Sequence, residues 1–547
     1  MDGTGPERQN GLSFGIELEF LFYYQPEQHP SRKVEVYTDS GEAKLAPALV
    51  FPNTEGKPVR EWALDRMRTA ILKVPGAQVK DLDEETVLGA AGAHRHMYLY
   101  PDSDGWHVKD DGSVDDQGET PPGYEVLSFE MTSPALWDKS ESYRHVHAVV
   151  AELTRRFRLR VNLTTGFHCH VGAGSRPKGK HAAVERERRT HSRKTIKRAA
   201  ALLWAADSFL CHIHPPERSI NNFSPPTRFH SSLATGTERK YAKDQHGNWS
   251  TVDAPIVANP APFQRSGLLP EACLPSRARA VDHAARRRDG ARLPALRSAT
   301  LDAAATARVA RHGADPAPAL DPASVRVRTV LRGVEHLAHC ASRTAVAEVM
   351  GTRVRTEVLH RLNYNFESYK YIGHGDDVFM GPPASGTVEF REAAGALSPE
   401  WVALWAGVCA GIFRFARGAS DARFRTVVDQ LARAEAEARV LGAAAAAAAA
   451  DGQHRYDAVA LLADLGLLPE AVFLARRLAD DPVRFWYPNR LALRPEEPLA
   501  ASPVWRAEPE SWGGGSAGTV VPDANGSPSA QSTPFVSTPF EPATGAW

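Results

Sequence analysis

Four short segments of this 547-residue chain alternate between apolar and polar residues, and that period-2 pattern constrains the fold more than any other feature. In residues 14–20, Phe14, Ile16, Leu18 and Phe20 point one way. Glu17 and Glu19 point the other, about 7 Å apart at the rise of an extended chain. Residues 124–132 set Leu127, Phe129 and Met131 against Ser128, Glu130 and Thr132. Residues 167–171 put His168 and His170 on one face and Cys169 on the other, between Gly166 and Gly172. Residues 387–391 send Val388 and Phe390 to one side and Glu389 and Arg391 to the other. Side chains two apart on a strand share a face. Each segment therefore predicts a strand with one apolar face and one face of acids, histidines or arginine.

Placed in one antiparallel sheet, these strands predict an α+β fold, with helices on the apolar face and a charged cleft on the other. The cleft would collect Glu17, Glu19, Glu130, His168, His170, Glu389 and Arg391. Carboxylates crowded on one face repel one another, and burying them without a partner is costly. A divalent cation removes that cost, because hard cations take carboxylate oxygens. Acids, histidines and an arginine together suit divalent metal and a phosphoryl group. Single motifs are less specific than the set. Glu17 and Glu19 alone fit a solvated edge strand, and the histidine pair alone fits a zinc hydrolase. A cupin would need an acid three or four residues after the second histidine, and residues 172–175 supply none.

Helical spacing supports the layered reading. Ile196, Ala199, Leu203, Ala206 and Leu210 recur at helical intervals. Ser398-Pro399-Glu400 is a strong helix start ahead of Trp401, Leu404, Trp405, Val408 and Ile412. Residues 11–420 read as one domain, interrupted at about 239–321 by an Ala-, Arg- and Pro-rich stretch expected to be a disordered insertion. Residues 421–500 read as a helical C-terminal appendage with an alanine-rich linker at 443–450. Residues 501–547 are expected to form a disordered tail, whose two Ser-Thr-Pro-Phe repeats offer a docking motif for an unidentified protein.

Charge and composition exclude several partners. Lys+Arg and Asp+Glu are both 65, so no global field favours nucleic acid or an anionic membrane. The basic stretch 186–198 has acids beside it and no aromatic platform, and predicts a solvated helix face. Residues 174–180 approximate a phosphate-binding Gly-x4-Gly-Lys loop, but His181 stands where Ser or Thr should follow and Pro177 lies inside it. The five cysteines are scattered, with no Cys-x-x-Cys pair, which fits a reducing compartment. The polar N-terminus lacks a secretory apolar core, and the most apolar stretch, 402–413, falls short of the ~20 residues of a spanning helix. A cytoplasmic location is expected.

Several blocks, in order, resemble the amidoligase family. Gly15-Ile-Glu-Leu-Glu19 resembles its first-strand signature. Trp106-His-Val-Lys-Asp110 through Ser113, followed by Glu130-Met-Thr-Ser-Pro134, is similar to its next strand pair. Gly166-Phe-His-Cys-His-Val-Gly172 resembles its Gly-x-His-x-His-Val block, Pro216-Glu-Arg218 an arginine block, and Val388-Glu-Phe-Arg391 with Gly395 its closing block. The chain departs from the family's pattern at Ala396, where Thr often follows the glycine, and at Cys169, where an apolar residue is usual. The resemblance spans about Leu12 to Arg417 and implies a glutamine synthetase-like carboxylate–amine ligase fold. It implies ATP-dependent joining of a small-molecule or peptide carboxylate to an amine through an acyl phosphate. Mg²⁺ (or Mn²⁺) would sit on Glu17, Glu19, Glu130 and Glu389. His168 and His170 would contact metal or phosphate, and Arg391 the transferring phosphoryl group. Arg218 and Asn363 would be substrate- or phosphate-binding. A zinc-dependent hydrolase and a catalytically silent binding protein are the alternatives, separated by metal analysis and by ATP turnover.

Overall fold

The first alternating segment becomes β1 (Ser13–Pro26) of the computed structural model, a 14-residue strand on which the whole sheet is assembled. The structure describes, with short interruptions, residues 11–26, 49–79, 105–174, 190–255, 330–352, 361–370, 386–448 and 456–479, and the two-residue strands at 37–38 and 491–492. The sheet adds β2 (Leu49–Phe51), β3 (His107–Asp110), β4 (Glu125–Thr132), β5 (Leu136–Trp137), β6 (Arg158–Arg160), β7 (Gly166–Gly172), β8 (Tyr364–Asn365) and β9 (Val388–Ala394). Its main path runs β8-β9-β7-β1-β4-β3 and is antiparallel throughout. β5 and β6 also pair antiparallel with β1, and β2 pairs with it in parallel. The fold is α+β, with an open antiparallel sheet.

The apolar halves of all four alternating segments are buried together, among them Phe14, Ile16, Leu18, Phe129, Met131, Phe167, Val171, Val388 and Phe390. The helices that join this core are α1 (Val59–Ile71), α2 (Ser140–Arg156), α3 (Arg193–Leu210), α4 (Val330–His339), α5 (Arg343–Met350) and α6 (Pro399–Gly418). α6 starts as the sequence predicts: the Ser398 side chain accepts from the Trp401 N–H, and Pro399 occupies the first turn. Its Trp405 and Phe413 meet Phe390 of β9 edge-on, at 6.4 and 6.2 Å between ring centres. Such contacts orient aromatic rings as well as burying them. At the far end of β1, Leu21 and Tyr23 share a face with Glu17 and Glu19 but lie under Val114 and Tyr124. The polar cleft is therefore confined to the first half of the strand.

The helices beyond residue 420, α7 (Asp421–Ala448), α8 (Ala458–Asp464) and α9 (Leu468–Ala479), share the same core. Phe424, Val427, Val428 and Leu431 of α7 are buried in it, with Leu461, Leu462 and Leu474 from the next two helices. The i, i+3, i+4, i+7 spacing of those α7 residues is an amphipathic stripe. The surrounding charges and the alanine run hide it when the segment is read as an appendage.

Residues 237–243 and 249–255 form an antiparallel hairpin inside the stretch read as an insertion. The rest of that stretch, the 501–547 tail, and residues 175–189 with most of the glycine-lysine loop lie outside the described residues. Among the described residues no helix is long and apolar enough to cross a membrane.

Candidate active site

Register brings the polar halves of the strands together in rows across the sheet. Glu389 on β9 stands opposite His170 on β7, with Asn365 of β8 on its other side. Glu17 on β1 stands between His168 of β7 and Thr132 of β4. Glu19 faces Glu130 of β4, and Glu130 faces Lys109 of β3. Side chains directly opposite on neighbouring strands lie close enough to interact, so residues far apart in sequence meet in one cleft.

The contacts are short. His168 Nδ1 lies 3.1 Å from Glu17 Oε2, and His170 Nε2 lies 3.0 Å from Glu17 Oε1. His170 Nε2 is 3.9 Å from Glu389 Oε1, which also meets the Arg391 guanidinium at 2.5 Å. The Gly166 N–H donates to Glu19 at 2.6 Å. A Cβ at Gly166 would come within 2.9 Å of His168 Nε2 and 3.2 Å of Glu19, which is why glycine opens β7.

Arg391 shares the face of Glu389 by alternation, just where β9 becomes irregular. β9 shifts register between Phe390 and Ala393, so that Arg391 and Glu392 both fall opposite His168. The extra residue changes the phase of the alternation beyond it, so that Ala393 pairs with Phe167. Arg391 enters the cleft, its Nη1 3.5 Å from His168 Nδ1 and its Nε–H donating to the Phe223 carbonyl at 3.3 Å. Its backbone N–H donates to the Asn363 carbonyl at 2.8 Å. Glu392 goes under the sheet.

Electrostatics divides the acids in two. Burial pushes every one of these carboxyls up. At Glu17 the two histidines outweigh burial and hold the carboxyl well below the usual range. At Glu389, Arg391 and then His170 and Arg361 do the same. His170 is raised, because Glu17 and Glu389 overcome its desolvation. Glu19 stays above the ordinary carboxylate value, since His168 and Arg391 only partly offset burial and Asp111 adds to it. Glu130 is pushed up to about 8 by burial and by Glu17, with Lys109 a partial offset.

Glu17, His170 and Glu389 each offer one ligand atom, and these atoms lie within 4.8 Å of one another, the one such group among the described residues. Two carboxylates and one imidazole could together hold a divalent cation. Glu19 and Glu130 stand beside this group rather than in it.

Three cleft residues are not singled out by the strand pattern. Asn365 donates to Glu389 Oε2 at 2.7 Å, Arg361 Nη1 lies 3.7 Å from the same oxygen, and Lys109 Nζ lies 3.1 Å from Glu130. Lys109 alternates with the buried Val108 on a strand, and that signal is readable in the sequence.

Two further residues named from the sequence, Arg218 and Asn363, are held by the protein's own groups. Arg218 is buried and donates to the Arg391 and Glu392 carbonyls at 2.8 and 3.3 Å, and its Nη2 lies 3.5 Å from where a Cβ on Gly166 would stand, beside His168 and Glu19. Asn363, 2 % exposed, points under the sheet. Its amide donates to Asp207 at 2.6 Å, and its oxygen accepts from the Thr227 N–H and hydroxyl. Tyr364 completes this buried network by donating to Glu392 at 3.0 Å. The Asn363 side chain is thus held toward α3 by Asp207.

Burial, and then the neighbouring Glu392, push the Asp207 carboxyl from 3.8 up to about 7. The folded state thus keeps a proton that an unfolded aspartate has released. Its stabilising effect is complete below about pH 4 and is lost as pH rises through about 7. Relative to Asp207→Asn, wild type is expected to lose stability across that window, with a slope approaching ~1.4 kcal/mol per pH unit. Urea unfolding of both proteins at about pH 5 and about pH 7 checks this. A constant difference between them would mean that Asp207 carries no extra proton.

Comparison of the chain with protein-family models, curated proteins and solved structures returned no match.

Proposed function

We propose that this chain is an ATP-dependent carboxylate–amine ligase of the amidoligase type, with a glutamine synthetase-like catalytic fold. The observation that carries the reading is one carboxylate, Glu389, standing between a cation-binding group and an arginine. Its Oε1 belongs with Glu17 and His170 and also meets Arg391 at 2.5 Å. A cation held there, when present, neutralises phosphate oxygens of a bound nucleotide. The remaining chemistry belongs to the chain.

The substrate carboxylate oxygen attacks the γ-phosphorus of ATP, the bond to the β–γ bridging oxygen breaks, and ADP leaves with an acyl phosphate formed. The amine nitrogen then attacks the acyl carbon, phosphate departs, and the amine gives up a proton as the amide forms. Arg391 meets the charge that develops on the transferring group; its planar fork suits two oxygens at once. The His168 Nδ1–H donates to Glu17, and its ring stands between that carboxylate and the Arg391 guanidinium. The low solvent exposure of Glu389, 4 %, strengthens each of these interactions.

A zinc hydrolase built on the histidine pair would need both rings on one ion. Among the described residues the group that could hold a cation includes His170 and leaves out His168, whose Nδ1 faces Glu17.

The test is a screen for ADP release with Mg²⁺ against mixtures of amino acids, peptides and polyamines. ADP formation that requires both a carboxylate and an amine is the expected result. Stoichiometric bound zinc with no ADP formed in any mixture would overturn the ligase reading.

A further inference from the structure

We propose that Lys109 is a built-in countercharge of the cleft, so that this chain holds a single divalent cation, at Glu17, His170 and Glu389, while its Glu19–Glu130 half is neutralised from within. The inference rests on the metal-dependent reading above and deepens it.

Four observations carry it. Lys109 stands directly opposite Glu130, and Glu130 directly opposite Glu19, so the ammonium and the two carboxylates form one row across three strands. The contact is made: Lys109 Nζ lies 3.1 Å from Glu130 Oε2. The strand that delivers it is anchored, since Trp106 and Val108 nearby are buried in the core. The lysine is 47 % exposed, so its stem runs along the rim while its head reaches inward.

Lys109 Nζ thus already meets the carboxylate that a second ion in this half of the cleft would need. A second divalent ion on Glu130 would have to share the carboxylate with an ammonium already in contact, and like charges at that separation repel strongly.

The test counts Mn²⁺ bound per chain, using the electron paramagnetic resonance signal of free Mn²⁺ in titrations of the full-length protein. Wild type is expected to bind one tightly. Lys109→Met keeps most of the stem, removes the charge and is expected to bind two. Lys109→Gln serves where the methionine variant does not fold. Lys109→Arg is expected to stay at one, and Lys109→Met combined with Glu130→Gln to return to one. Two tight ions in wild type, or one in both charge-removing variants, would overturn the proposal while leaving the metal centre intact. No tight ion in wild type would overturn the metal centre, and this proposal with it.

Discussion

Arg391→Lys is expected to lower ATP-dependent ligation by roughly 10²–10³-fold, the typical cost of removing one electrostatic stabiliser of a transition state. The loss should fall on turnover, with folding near normal and nucleotide binding much less affected. Arg391 is held from several directions: Glu389 and His168 in the cleft, the Phe223 carbonyl at its Nε, and the Asn363 carbonyl at its backbone N–H. A lysine keeps one positive charge but cannot meet Glu389, the Phe223 carbonyl and two phosphate oxygens at once, because its ammonium is a point and not a fork. Arg391→Ala should lose at least as much. It also removes a cation that competes for Glu389 Oε1, so it should lower the metal concentration required. Steady-state ADP release and Mn²⁺ titration on the same preparations separate the two effects. Wild-type turnover in both variants, with a known substrate, would remove Arg391 from the reaction.

Glu435→Ala is expected to destabilise the fold by about 3–5 kcal/mol, the cost of leaving a buried charge without its partner. Glu435 on α7 pairs with Arg228 at 3.1 Å, and the two side chains are 3 % and 1 % exposed. Arg228 also donates to the Trp204 carbonyl at 3.1 Å and stacks over the Trp204 ring at 4.6 Å, while Ser208 donates to Glu435 at 3.2 Å. These contacts tie a helix beyond residue 420 to α3 beneath the sheet. Replacing both partners with apolar residues, Arg228→Met with Glu435→Leu, should cost much less than the single change, since no orphaned charge remains. Denaturant unfolding measures both. A cost under about 1 kcal/mol for Glu435→Ala would mean that α7 lies outside the cooperative core.

What was legible in the sequence was local. Period-2 alternation states which residues share a face without reference to any partner strand. Glu17, Glu19, Glu130, His168, His170, Glu389 and Arg391 could therefore be assigned to one side before any pairing was known, and the structure brings them into one cleft. The start of α6 was readable for the same reason, since a serine cap and the proline after it act within one turn.

Pairing was not local. Nothing in residues 14–20 says that Glu17 will face His168 or that Glu130 will face Lys109, because register is set by long-range packing of the apolar faces. The bulge in β9 is a mismatch between two strands and has no signature in either alone; it decides that Ala393, and not Glu392, pairs with Phe167. Asn363 likewise follows its backbone under the sheet to Asp207, where its amide is satisfied without any ligand. The amphipathic stripe of α7 was present in the sequence, but only the core it joins shows that the stripe has somewhere to pack. Residue types and faces were written in the chain; which side chains touch, and so which acids share a cation and which take an ammonium, depended on distances that only the folded sheet defines.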